Sequence, residues 1–129
     1  MSFFYEIISN NPRMKDYPSC TYVEGTVLDV LTAIRDKVHQ GYKILSHPLS
    51  GNLPPSRRLF LTVVVSKPLL QKEDRFLDLD SVKLIESVLE LYKDSKASPA
   101  LQNMKAIEDM QYLDEELIRP VLRQCRIIS

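Results

Sequence analysis

The sequence predicts a single α/β domain over residues 1–129, built as a small, mainly parallel β-sheet of about four strands flanked by helices and closed by a helical C-terminal cover. Two observations carry this. Continuous apolar runs, rather than alternating ones, stand at Phe3–Ile8 and Leu59–Val65, as strands covered on both faces require. Between them Val27, Val30, Leu31, Ile34 and Val38 recur at three- and four-residue spacing, the stripe of an amphipathic helix. A length of 129 residues, 44% of them hydrophobic and 26% charged, suits one compact core and argues against disorder. No repeat, low-complexity tract or linker divides the chain.

The first strand, Phe3 to Ile8, stops sharply at Asn10-Asn11-Pro12. Pro12 and Pro18 punctuate the next stretch, which reads as a loop or an irregular turn before a short strand around Cys20-Thr21-Tyr22-Val23. Thr26 opens the first helix, because its hydroxyl can accept a backbone N–H and Asp29 stands in the first turn, where a carboxylate is favoured. Gly41 closes that helix at a position suited to left-handed backbone. Tyr42 to Ser46 is the next strand, and strand, helix, strand in that order implies a crossover with parallel pairing. Leu59–Val65, rich in β-branched residues, belongs in the sheet centre.

Lys67 to Leu77 is charged, contains Pro68 and reads as a surface connection. Asp78 or Asp80 can cap a helix whose broad apolar face includes Val82, Ile85, Val88, Leu89 and Tyr92. Lys96 to Ser98 is a break. Ser98-Pro99 then predicts a third helix from about Pro99 to Met110, with Leu101, Met104, Ile107 and Met110 read as core. Asp114-Glu115-Glu116 predicts the start of a last helix, kinked by Pro120 near Ile118 to Val121.

Composition narrows function mainly by exclusion. Seventeen basic against seventeen acidic residues leave no surplus to neutralise phosphates, which argues against nucleic acid as a partner. The opening apolar run carries Glu6 and is too short for a signal sequence or a membrane span, so a cytoplasmic location is expected. Cys20 and Cys125 lie far apart without metal-ligand spacing and read as free thiols. The histidines and acids form no recognised metal set. The three glycines form no phosphate loop, so no cofactor is implied.

In open parallel sheets, ligands bind where loops leave the carboxyl ends of strands. The candidate site therefore comprises Ser9, Asn10 and Asn11 after the first strand, with Ser46, His47, Ser50, Gly51 and Asn52 after the strand expected to lie beside it. Their side chains can donate and accept, Gly51 lets backbone N–H groups approach, and Arg57 and Arg58 can add positive charge. Such a set suits a small polar or anionic ligand. The same residues are also ordinary turn chemistry. His47 could serve as acid or base, although no nucleophile with an evident partner accompanies it.

At Ile8-Ser9-Asn10-Asn11-Pro12, at Leu45-Ser46-His47-Pro48-Leu49-Ser50-Gly51, and at Leu77-Asp78-Leu79-Asp80-Ser81 leading into Leu84-Ile85-Glu86, the chain resembles the GrdX family. The likeness spans most of the chain, and His-Pro-Leu-Ser-Gly is its most specific piece. These are small proteins encoded beside the glycine, sarcosine, betaine and proline reductase systems of amino-acid-fermenting anaerobes. The resemblance implies an accessory protein with a reductase component as a partner, and it supplies no catalytic residues. The expected role is binding of a small polar or anionic ligand or of a protein partner at the loops 9–12 and 46–52; the alternative is a small enzyme using His47 as acid or base. A C-terminal apolar face left exposed would be a surface for a partner or for a homodimer.

Overall fold

In the computed structural model, which describes residues 4–49, 54–55, 58–69, 75–94 and 103–129, the strands are β1 (Tyr5–Ser9), β2 (Cys20–Tyr22), β3 (Lys43–Ile44) and β4 (Thr62–Ser66). The helices are α1 (Val27–His39), α2 (Leu79–Tyr92) and α3 (Met104–Gln124). The strands form one four-stranded sheet in the order β2-β1-β4-β3.

The sheet is mixed, not mainly parallel. β1 and β2 run parallel, with Ile7 opposite Cys20, whereas β4 runs antiparallel to β1 and to β3. The expectation that the strand after α1 lies beside β1 fails for a physical reason. β4 carries Val63, Val64 and Val65 fully buried and takes the interior position, while β3, with exposed Lys43 and half-buried Ile44, is left at the edge. Apolar runs report burial on both faces; they carry no strand direction.

That double burial divides the core into two clusters. Ile8, Leu61, Val63 and Val65 pack against Val30, Leu31, Ile34 and Val38 of α1 and against Ile85 and Val88 of α2. Ile7 and Val64, the intervening side chains, pack on the other face with Met14 and with Ile118 and Leu122 of α3. Helices thus cover both sides of the sheet.

α1 begins at a complete capping box. The Thr26 hydroxyl accepts from the Asp29 N–H, and the Asp29 carboxylate accepts from the Thr26 N–H at 2.8 Å. Thr26→Ala is expected to lose about 1 kcal/mol of folding stability, read by urea denaturation. After the helix, Gly41 adopts φ +100°, which a side chain would strain. α2 is capped by Asp78, whose carboxylate accepts from the Ser81 N–H and hydroxyl; Ser81 Oγ in turn accepts the Ile44 N–H at 2.9 Å and ties α2 to the sheet edge.

The C-terminal helix differs most from expectation. Ser98-Pro99 and Leu101 lie outside the described residues, and the helix begins at Asn103, which accepts the Ala106 N–H. It then runs unbroken to Gln124, through the acids and through Pro120. Asp114 and Glu115 are buried mid-helix because they pair with other elements, so their clustering is a tertiary signal and not a helix start. Met104 is 74% exposed and is not core, whereas Met110 and Ile107 are half-buried.

Candidate functional site

Both predicted loops leave the same rim of the sheet. Ser9 stands opposite Thr62, the first residue of β4. At the end of β3, Leu45 donates its N–H to Val64 O, and Ser46 Oγ accepts the Val64 N–H at 2.8 Å. β4 starts from this rim and separates the two loops.

On the α3 side of the rim the loop residues are tethers in a buried polar network. Ser9 Oγ lies 2.7 Å from Thr62 Oγ1 and accepts the Asn11 N–H at 2.9 Å. Thr62 donates to Asp114 Oδ2 at 2.6 Å, and Asn11 Nδ2 donates to the same oxygen at 3.0 Å and to Gln111 O at 2.8 Å. Burial raises the Asp114 carboxyl above its ordinary range, only partly opposed by the bonds from Thr62 and Asn11 and by the charge of Arg58. The neighbouring Glu115 accepts from Arg13 Nε at 2.7 Å and from Tyr17 Oη at 2.6 Å. Burial works to raise that carboxyl too, but those bonds and the charges of Arg13 and Arg119 outweigh it, and its pKa is lowered.

On the opposite side, at the start of α1, lies a cleft of about 600 Å³ lined by Asn10, Gly25 to Leu28, Pro55, Arg58 to Phe60, Tyr92 and Ile107. Asn10 shapes it without being available to a ligand: Nδ2 donates to Gly25 O and Leu59 O at 3.0 Å each, and Oδ1 accepts the Leu61 N–H. The guanidinium of buried Arg58 donates through Nε to Phe60 O, and its Nη2 is 3.9 Å from Asp114 Oδ1. The cleft and the buried network therefore share this arginine.

Tyr92, only 4% exposed, ends the apolar stripe of α2. Its hydroxyl, among the described residues, is buried without a hydrogen-bond partner. Burial raises its pKa, with the charge of Arg58 opposing, so the group is a protonated phenol at neutral pH. A buried hydroxyl left unsatisfied costs about 1–3 kcal/mol. Tyr92→Phe in the ligand-free protein is therefore expected to hold or raise stability by up to about 1 kcal/mol, measured by urea denaturation, whereas a hydroxyl bonded within the fold would make the change destabilising.

The remaining predicted residues fall elsewhere. Ser46 is buried on Val64, and His47 is exposed, its Nδ1 accepting the Leu49 N–H at 3.0 Å as a turn acceptor. Neither lines the cleft. Ser50, Gly51, Asn52 and Arg57 lie outside the described residues. Among the described residues no group of three or more His, Cys, Asp or Glu side chains gathers as a metal site, and no helix is long and apolar enough to cross a membrane. The Cys20 thiol is pushed up to about 11 by burial and the charge of Glu6, and burial raises Cys125, so neither is a ready thiolate at neutral pH.

Tyr92, Ile107, Thr62 and Asp114 were not identified from sequence. For Asp114 a signal was present: it shares the i, i+4, i+8 stripe of Ile118 and Leu122, so a carboxylate stood among the core positions of α3. Tyr92 reads as core, and only its partnerless oxygen marks it.

A family model described as GrdX-like protein matches residues 6–123. No curated protein and no solved structure matches the chain.

Proposed function

Because the chain belongs to the GrdX-like protein family, we propose that it is a non-catalytic accessory protein of reductive amino-acid metabolism, serving the glycine, sarcosine, betaine or proline reductase systems, and that it binds a small polar or anionic ligand at the strand-end rim. The accessory role rests on family membership. The binding role rests on geometry. A mostly apolar recess with a few converging polar groups, beside a strand end and a helix N-terminus, is the usual form of a small-molecule site.

One observation carries the reading: Tyr92 lines the cleft, and its hydroxyl is buried without a hydrogen-bond partner among the described residues. Buried polar groups are nearly always satisfied, so an unsatisfied one on a residue that lines a recess supports a site that a partner completes. The site moves accordingly. It keeps Asn10 from the 9–12 loop as a wall and keeps Arg58, it gains Phe60, Tyr92 and Ile107, and the 46–49 segment is not part of it.

Titrating the protein with amino acids, short carboxylates and amines while following its backbone amide signals tests this. Saturable shifts are expected at Gly25, Leu28, Phe60 and Ile107. Shifts confined to the neighbourhood of His47, or none, would remove the binding reading and leave the family assignment alone.

A further inference from the structure

We propose that Asn10 is the positioning residue of this cleft: its side-chain amide ties the start of α1 to the segment ahead of β4 and holds two of the cleft walls at the separation a ligand meets, without itself taking a ligand contact. The inference rests on the binding reading above and adds what fixes the shape of that site.

The tie begins where the regular ladder stops. Ser9, opposite Thr62, is the last residue of β1 in register with β4. Beyond it the Asn10 side chain takes over the pairing. Its Nδ2 donates to Leu59 O at 3.0 Å and its Oδ1 accepts the Leu61 N–H at 2.9 Å, a carbonyl and an amide two residues apart, as a neighbouring strand would take them. Phe60 lies between the two bonded residues, and its own carbonyl accepts from Arg58 Nε at 3.3 Å. The other Nδ2 hydrogen reaches the opposite wall, donating to Gly25 O at 3.0 Å. Gly25 and Leu59 both line the cleft.

Gly25 is fixed from its other side as well. A Cβ there would clash with Asp29 Oδ2, the oxygen that accepts the Thr26 N–H in the capping box. The backbone at Gly25 therefore lies against the cap of α1, and what holds its carbonyl holds the helix start. Asn10, only 3% exposed, thus joins a helix terminus to the approach of a strand through one buried group. An amide fits that place because it brings two donors for two carbonyls and an acceptor for one N–H. Aspartate has the same size but, ionised, no donor, and it would set a carboxylate against both carbonyls. A wall that the ligand must first order subtracts the cost of ordering from affinity.

Leucine, isovalerate and isoamylamine, one branched body under three head groups, serve as probes, followed by the amide signals of the intact chain at Gly25, Leu28, Phe60 and Ile107. In the parent, the Asn10 side-chain hydrogens and the Leu61 N–H are expected to exchange slowly with solvent. Asn10→Asp is expected to speed exchange at Leu61 and to weaken whichever probe binds the parent by at least about tenfold. Asp78→Ala removes the cap of α2, at the end of that helix opposite Tyr92, and lowers stability without touching the tie; affinity there is expected to stay within about threefold of the parent. Asn10→Ser, with one donor on a shorter arm, carries the comparison if Asn10→Asp does not fold. A folded Asn10 variant that binds as the parent does overturns the positioning role while the binding site stands, and equal weakening in Asp78→Ala does the same. Fast exchange of the Asn10 side chain and Leu61 in the parent overturns it without any variant. If none of the three probes shifts those signals in the parent, the binding reading falls and the inference with it.

Discussion

Replacing Asp114 by alanine is expected to lower folding stability by about 3–5 kcal/mol, the range for removing one partner of a buried charged cluster. The carboxylate accepts from Thr62 and Asn11 and stands beside Arg58, on a residue only 4% exposed. Alanine leaves a cavity, withdraws the acceptor from two buried donors and deprives Arg58 of this counter-charge. Asp114→Asn keeps the volume and one acceptor oxygen, so its loss should be the smaller. The pair also isolates a pH effect. Burial raises the folded pKa of Asp114 above its ordinary 3.8, so the stability tied to its proton is fully present below 3.8 and is lost as pH rises through the folded value. The parent should therefore lose stability relative to Asp114→Asn as pH climbs across that window. Glu115, lowered from 4.5, acts oppositely in both proteins: its contribution is present above 4.5 and fades as pH falls through its folded value. Urea denaturation at several pH values measures the difference, and a parent that gains stability over Asp114→Asn with rising pH would contradict the buried, proton-favouring environment.

Asn11→Ala is expected to lose about 2–4 kcal/mol, although the residue sits in what reads as a surface turn. Asn11 is fully buried. Its Oδ1 accepts the Arg13 N–H and shapes the 3-10 turn Pro12–Met14, while its Nδ2 reaches Gln111 O and Asp114 Oδ2 on α3. One side chain thus closes a local turn and fastens a helix distant in sequence. Combined with Asp114→Ala the loss should be less than additive, because the two changes share a bond. A surface turn residue would show a loss within about 0.5 kcal/mol, so the denaturation midpoint separates the two descriptions.

Much of the fold was legible because burial leaves a local trace. The stripe from Val27 to Val38, the cap at Thr26, the stop at Gly41 and the central position of Val63 to Val65 are each written in a few adjacent residues. Strand order and direction are not. β1 and β4 would show the same continuous apolar runs whichever way they paired, so the antiparallel placement of β4 between β1 and β3 left no mark in the pattern. Clustered acids misled for the same reason. Their local meaning is a helix start, while here Asp114 and Glu115 lie within α3 and are held by tertiary partners. Of the candidate site, the rim and the role of the first strand's end were readable, since polar turns after apolar runs locate strand ends. The cleft was not, because it is made by Tyr92 and Ile107, whose sequence neighbourhoods describe ordinary core.

The outermost strands are three residues long at β2 and two at β3. So few unpaired backbone groups give an incoming chain little to add to, and lysine at position 43 faces solvent on one of those margins. Lateral growth of the sheet into fibres or strand-exchanged pairs is thereby discouraged.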